Sequence, residues 1–161
     1  MKHITILLVL FFTFSAYCGS FPDYRGLVND FEDVLTEKQE KSLSKLLTKT
    51  ETNQKVKIIL VSTQSFAPAK TYQKYILGLF EYWKMNVSNT KKGILILVSK
   101  KQKTLKIIPG TEMRVIFNEA KIKSVLENVM VPKIVKEKHF TALKKGIKSL
   151  VKTIKAYNKV K

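Results

Sequence analysis

The sequence predicts an α/β domain: a three-layer α/β/α sandwich in which a small mixed β-sheet is flanked by helices on both faces. Segments with apolar residues at helical spacing alternate along the chain with short, nearly continuous β-branched runs. This alternation favours parallel strands joined by helices, whereas a short polar link between the last two strands favours a hairpin. The expected order is helix, strand, helix, strand, strand, helix, helix.

A leader precedes this domain. Residues 1–20 have a basic start, an apolar run at 4–14 that is too short to cross a bilayer, and an exit of small and polar residues. We therefore expect a signal peptide at 1–20 and a single domain at 21–161, in an exported protein that is periplasmic or secreted. The only cysteine is Cys18. It is either removed with the leader or lipidated, in which case it would anchor the protein to a membrane.

The first helix of the domain is predicted from Thr36 to about Asn53. Thr36 and Gln39 are spaced as the two members of a capping box, and leucines continue one face at intervals of three and four. Residues 56–63 form a short β-branched run. Such a run is typical of a strand buried on both faces of a parallel sheet.

Residues 69–85 carry aromatic and aliphatic side chains at helical spacing and are predicted to form a crossover helix. This spacing leaves Tyr75 and Tyr82 as the exposed aromatic residues. The aromatic residues expected to face the core are Tyr72, Phe80 and Trp83.

The second half of the domain begins with two strands, predicted at 93–98 and 104–108 and joined as a hairpin. A helix is expected at 118–131, and Pro132 should break or kink it. The residues expected to face inward from this helix are Ala120, Ile122, Val125, Leu126 and Val129. A final helix should run from about Phe140 towards Tyr157.

Charge is distributed unevenly along the chain. The formal net charge is +18, and residues 61–161 contain 22 Lys and Arg against 5 Asp and Glu, whereas residues 21–60 are neutral. Outside the leader there is no cysteine, and the only histidine is His139. The sequence therefore argues against thiolate zinc sites and two-histidine metal sites. We expect His139 to be a surface or capping residue, and no catalytic residue is assigned.

The final helix has an apolar face and a lysine-rich remainder, which makes it an amphipathic basic helix. The simpler interpretation is that its lysines are merely solvated. The stronger one is that they bind an anionic partner. The residues of the expected binding surface are Lys91, Lys92, Lys138, Lys144, Lys145, Lys148, Lys152 and Lys155. Export argues against a nucleic acid as the partner, and no nucleic-acid motif is present.

Several short motifs occur in a recognisable order. They are Gly-Leu-Val-Asn-Asp at 26–30, Val-Ser-Thr at 61–63, Phe-Glu-Tyr-Trp at 80–83, Gly-Ile-Leu-Ile-Leu-Val at 93–98, Gly110 with Glu112, and Pro132 with Gly146. Together they resemble the TPM domain, across nearly the whole chain after the leader. The resemblance implies an extracytoplasmic α/β/α sandwich.

Some members of that family are described as acid phosphatases or as calcium-binding proteins that use clustered aspartates, whereas others act on membrane complexes without evident catalysis. The resemblance places an aspartate before Gly93, one near the start of the helix at 118–131, and one before the final helix. This chain instead has Lys91-Lys92, Phe117 or Asn118, and Lys138. Of the acidic set only Asp30 is present. With Asn29 it would be the remainder of a metal or anion site, but the interpretation we favour is a structural turn at the entry to the domain, in which both side chains bind nearby backbone amides.

The loss of these carboxylates weakens both the metal and the phosphatase interpretation, because calcium needs six to eight oxygen ligands, several of them anionic. We therefore expect a non-catalytic domain without a cofactor. Its lysine-rich face would dock on an envelope or membrane protein complex or on an anionic lipid surface. The alternative is a phosphatase or a weak calcium- or magnesium-binding protein in which Asp30 and Asn118 hold the cation.

Overall fold

The computed structural model describes residues 21–83 and 91–160, so the predicted leader at 1–20, with Cys18, lies outside the described residues. The described part forms a four-stranded mixed sheet with helices around it. Its buried apolar residues run from Leu27 to Ile154 and form one cluster. The buried apolar residues of the described part thus form one core.

The sheet has the strand order β1-β2-β3-β4. Strands β1 (Val28–Asp30), β2 (Lys57–Ser62) and β3 (Gly93–Ser99) are parallel. Strand β4 (Thr104–Pro109) pairs with β3 in the antiparallel direction and confirms the predicted hairpin. The predicted order lacked β1, because three residues are too few to show a strand pattern.

Helix α1 (Glu37–Gln54) begins and ends close to the predicted bounds. The capping box is confirmed, since the Thr36 side chain accepts from the Gln39 amide and the Gln39 side chain accepts from the Thr36 amide. Leu43 and Leu47 are buried on the inner face. Lys55 then ends the helix in the left-handed conformation, and β2 follows directly.

Helix α2 (Tyr72–Tyr82) is shorter than the predicted 69–85, because Thr71 caps it three residues after Pro68. The expectation that Tyr75 is exposed was wrong, since its side chain is only 1% exposed. Phe21 and Phe66, from segments outside the helix, cover the tyrosine ring at centroid distances of 5.6 and 5.8 Å. Tyr82 is exposed, as predicted.

Helix α3 (Glu119–Val125) continues through a π-helical turn (Leu126–Met130) into the short helix α4 (Val131–Ile134). Pro132 therefore does not end the helical path. It lies in the first turn of α4, where a missing backbone N–H costs little, and the wider turn before it gives the ring room. Ala120 is exposed, contrary to prediction.

Helix α5 (His139–Val160) confirms the predicted basic amphipathic helix. One face is buried and consists of His139, Ala142, Leu143, Gly146, Ile147, Leu150 and Ile154. It packs against α1 and the π-helical turn. His139, expected to be a surface or capping residue, is the first residue of the helix and is only 8% exposed. It is therefore not a surface residue, and its Nδ1 lies 3.2 Å from the Glu137 carbonyl oxygen.

Strand register shows how the helices flank the sheet. Val61, Leu97 and Lys106 are in register and so share one face, and the Lys106 ammonium lies 5.2 Å from the Tyr72 ring of α2. Asp30 and Ser62 belong to the other face, where the Asp30 carboxylate meets the segment that leads into α1. The predicted α/β class and mixed sheet are confirmed. None of the helices within the described ranges is both long and apolar enough to span a membrane.

Candidate functional site

Two edges of the sheet carry the charged residues singled out by the sequence. We call the edge where the parallel strands end, at Asp30, Ser62 and Ser99, the carboxyl edge, and the edge where β2 and β3 begin, at Lys57 and Gly93, the amino edge. In many α/β proteins ligands bind at the carboxyl edge. In this chain that edge contains Asp30.

Asp30 is 3% exposed, and both oxygens of its carboxylate accept hydrogen bonds. Its Oδ2 accepts from the Leu35 amide at 2.8 Å, and its Oδ1 accepts from the Val34 amide at 3.2 Å. The Ser62 hydroxyl also donates to Oδ1. Asp30 therefore ties the ends of β1 and β2 to the turn that starts α1.

The neighbouring Asn29 is fully buried and also binds backbone. Its Oδ1 accepts from the Arg25 amide at 2.8 Å, and its Nδ2 donates to the Gly26 carbonyl at 2.7 Å and the Leu60 carbonyl at 3.3 Å. The two polar residues that end β1 thus fix the chain on both faces of the sheet. Both side chains hold the fold at this edge.

Two other acids near Asp30 also interact with their surroundings, one through hydrogen bonds and the other through a shifted pKa. Glu32 accepts from the amides of Lys100 and Lys101 in the β3–β4 hairpin, both at 2.8 Å. Partial burial and then the negative charge of Asp30 raise the pKa of Glu40 above its ordinary value. Within the described ranges, no group of three or more His, Cys, Asp or Glu side chains could hold a metal ion.

Asn118, the second residue expected at a metal site, follows the opposite edge. β4 ends at Pro109, which is paired with Ile94 near the start of β3, and a 3₁₀ turn (Thr111–Val115) then leads to Asn118. Its side chain accepts from the Lys121 amide at 3.0 Å and caps α3. The structure does not bring Asn118 to the carboxyl edge with Asp30, and a metal-binding role for the two stays a prediction.

The eight lysines of the expected binding surface do not form one patch. Lys91 and Lys92 lie at the amino edge, where the Lys92 ammonium is 3.8 Å from a Glu112 carboxylate oxygen. Lys138 precedes α5 on the turn whose Glu137 is bound to Lys100 of the hairpin, so it lies at the carboxyl edge. The remaining residues of the set lie along α5 and are Lys144, Lys145, Lys148, Lys152 and Lys155.

The C-terminal parts of α1 and α5 enclose a groove of about 630 Å³. Both helices end at the same place, where Nδ2 of the Asn158 side chain donates to Gln54 Oε1 at 3.2 Å. Since α1 leads directly into β2, the groove lies towards the amino edge of the sheet. The lysines that line it are Lys49, Lys148, Lys152, Lys155 and Lys159.

Three lysines of this groove, Lys148, Lys152 and Lys155, belong to the set predicted from sequence, whereas Lys49 and Lys159 do not. Lys49 could not be found from α1 alone, because its role depends on which helix packs beside it. No acidic residue lines the groove, and among the described residues none of its five lysines forms an ion pair.

The fold and sequence of this domain are similar to those of known proteins. The family model of the TPM domain matches residues 28–153. In structure, the chain is similar to the N-terminal domain of a P. gingivalis protein (TM-score 0.69, 19% identity, 81% of this chain and 83% of that one). A protein of the psychrophilic bacterium Bizionia argentinensis is also similar (TM-score 0.66, 18% identity, 79% and 86%).

A third solved structure, the N-terminal domain of a Corynebacterium glutamicum protein, has a TM-score of 0.60 at 12% identity and covers 81% of this chain and 80% of its own. At such identities the structural likeness shows the fold alone. Among curated proteins, no match to this sequence was found. The family match extends from β1 into the last turns of α5 and agrees with the motifs of the sequence, and the chain therefore belongs to the TPM domain family.

Proposed function

We propose that this chain is an exported, non-catalytic TPM domain that docks on an anionic membrane surface through the lysine-rich C-terminal part of α5. The single observation that carries the proposal is the groove between α1 and α5, whose lining includes five lysines and no acidic residue. Export rests on the leader predicted at residues 1–20.

Electrostatics supports a surface of anionic lipid as the partner. A lysine near such a surface contributes about 1 kcal/mol to binding, so the five groove lysines suffice for measurable attachment at moderate salt. The contribution falls once the Debye length shrinks below the distance between the charges. Binding should therefore weaken steeply as the salt concentration rises.

The Asp30 cluster supports a non-catalytic role. A cation at Asp30 would have to compete with the amides of Val34 and Leu35 and with the Ser62 hydroxyl for the same two oxygen atoms. Calcium also needs several more oxygen ligands than this one buried carboxylate offers. A metal-assisted hydrolase therefore finds little support in this geometry.

The experiment is a vesicle flotation assay with the chain from Phe21 onward, which contains the buried apolar cluster from Leu27 to Ile154. Vesicles of phosphatidylglycerol and phosphatidylcholine are compared with vesicles of phosphatidylcholine alone, at low and high salt and with EDTA. We expect binding only to the anionic vesicles, lost at high salt and unchanged by EDTA.

Two results would overturn the proposal. Equal binding to neutral vesicles would show that charge does not direct the interaction. Absence of binding to anionic vesicles at low salt would refute membrane docking, and capture by an acidic envelope protein complex would then make a protein the partner in place of the lipid.

A further inference from the structure

The groove between α1 and α5 combines an apolar floor with a cationic rim. Leu46 of α1 and Val151 of α5 contribute apolar surface, and both are half-buried against the core. The five groove lysines surround this surface from both helices. A volume of about 630 Å³ falls within the range of small-molecule sites in proteins.

The lysines of the groove carry more positive charge than is needed to neutralise the negative C-terminal ends of the two helices. Two helix C-termini meet here, and each carries roughly half a negative charge, so together they offset about one lysine of the five. The acid nearest in sequence, Glu51, does not line the groove and is paired with Lys57 at 3.6 Å. Several lysines therefore remain available to an anion bound from solution.

The shape of the groove limits what can occupy it. An amphipathic partner helix would need apolar anchors repeated over two turns or more. The described floor offers only Leu46, Val151 and the small Ala156 as apolar residues. A ligand with a compact anionic head and a short length of apolar chain matches this distribution better, because the lysines outnumber the apolar positions.

We propose that this groove binds one anionic phospholipid, with the phosphate between the lysines of the two helices and the first part of an acyl chain against Leu46 and Val151. Lysine ammonium groups bind phosphate as point charges, which suits a headgroup of variable orientation. The inference rests on the proposed membrane docking and deepens it. It distinguishes a defined lipid site from attraction spread over the whole basic surface.

The test uses a soluble probe and a matched pair of variants. Dihexanoyl phosphatidylglycerol, below its micelle concentration, is titrated into the chain from Phe21 onward, and binding is followed by amide chemical shifts. Lys152→Gln removes a groove lysine, whereas Lys121→Gln removes the same charge from an exposed residue of α3 outside the groove. We expect Kd to rise about fivefold for Lys152→Gln and less than twofold for Lys121→Gln.

A second pair tests the apolar floor. Ala156→Trp fills the groove, and Ala120→Trp adds the same ring to an exposed position of α3. We expect about tenfold weaker binding for the first and no more than a twofold change for the second. Melting temperatures of all four variants, close to that of the wild type, would show that each domain is folded.

The outcomes separate this inference from the proposed function. Equal losses for Lys152→Gln and Lys121→Gln, with vesicle binding intact, would overturn the lipid site and leave diffuse docking. If glycerol 3-phosphate bound with the same affinity as the phospholipid, the groove would be a site for the anionic group alone. The proposed contact of an acyl chain with Leu46 and Val151 would then be wrong. Tighter binding of an acidic amphipathic peptide than of the lipid would overturn the choice of occupant. If the wild-type domain did not bind anionic vesicles, membrane docking itself would be refuted.

Discussion

The carboxyl edge around Asp30 and the groove between α1 and α5 are both charged, but their charges have opposite surroundings. At the carboxyl edge, Asp30 and Glu32 are bound to backbone amides and to the Ser62 hydroxyl. In the groove, the lysines lie around a cavity and have no acid beside them on its walls.

This difference indicates that the carboxyl edge stabilises the fold and that the groove is the region available for binding. A buried carboxylate that satisfies several donors is costly to replace, because its partners lose their acceptors. Exposed lysines contribute little to stability, so their number and position can be set by a partner. Changes at Asp30 should thus act on stability, and changes at the groove should act on binding.

Replacing Asp30 should give the largest loss of stability. In Asp30→Asn, the amide can present an N–H group towards donors that now bind a carboxylate, and we expect the free energy of unfolding to fall by about 3 kcal/mol. Urea denaturation measures this fall. Asp33→Asn is the matched control, because Asp33 is exposed and asparagine tolerates its left-handed backbone. Equal effects of the two substitutions would contradict the structural role of Asp30.

A change on the buried face of α5 should have the next largest effect and should leave the groove untouched. A Cβ atom at Gly146 would lie 2.5 Å from Sδ and 2.8 Å from Cγ of Met130, whose side chain is fully buried. Gly146→Ala gains about 1 kcal/mol of helix propensity but overpacks the core by about 2 kcal/mol.

We therefore expect Gly146→Ala to lower the stability by about 1 kcal/mol in urea denaturation, with vesicle binding preserved per folded molecule. Ser149→Ala on the same helix is the control and should not destabilise the domain. A Gly146→Ala domain more stable than the wild type would show that Met130 moves aside freely.

The ion pair at the carboxyl edge should have a smaller, pH-dependent effect. Lys100 Nζ lies 2.7 Å from Glu137 Oε2. The hydrogen bond from Lys100 and its positive charge lower the pKa of Glu137 from its ordinary value of 4.5. A lowered folded pKa adds stability above the ordinary glutamate pKa, and that stability is lost as the pH falls through the folded value.

Glu137→Gln should therefore be slightly less stable than the wild type near neutral pH, and the difference should vanish in strong acid. The hydrogen bond and charge of Glu137 also raise the pKa of Lys100, so the partner stays charged throughout this range. Chemical denaturation at several pH values measures the difference, with Glu81→Gln at an exposed position of α2 as a control of equal charge change. A gap that widened towards acid pH would contradict the assigned sign.

Calcium should have the smallest effect. Because Asp30 and Asn118 are bound at different edges and the described residues contain no acidic cluster, several millimolar calcium at fixed ionic strength should leave the melting temperature within about 1 °C of its value in EDTA. A thermal melt in the two buffers measures this. A rise of several degrees would support a metal site and make a phosphatase assay worthwhile.

The sequence predicts the elements of this fold better than their contacts. The capping box at Thr36, the hairpin and the amphipathic final helix depend on local patterns, and the structure confirms them. Tyr75 was misassigned because Phe21 and Phe66, distant in sequence, cover its ring. Helical spacing cannot identify such a cover.

The site was predictable to a similar extent. Sequence alone indicated a basic final helix, but the groove exists because α1 packs beside α5 with both C-termini together. Lys49 becomes a groove residue only through that packing. Conversely, the sequence indicated that Asp30 binds nearby backbone amides, but its particular partners, the Leu35 amide and the Ser62 hydroxyl, depend on the turn before α1 and on strand register.

The central claim is that the groove lysines, and not positive charge in general, direct docking. Two triple variants with equal net charge test it in the vesicle flotation assay at low salt. One changes groove residues, Lys148, Lys152 and Lys155, to Gln, and the other changes three exposed lysines elsewhere, Lys74, Lys121 and Lys136, to Gln. We predict that the groove variant loses binding to anionic vesicles whereas the other keeps most of it. Equal loss in the two variants would contradict the claim.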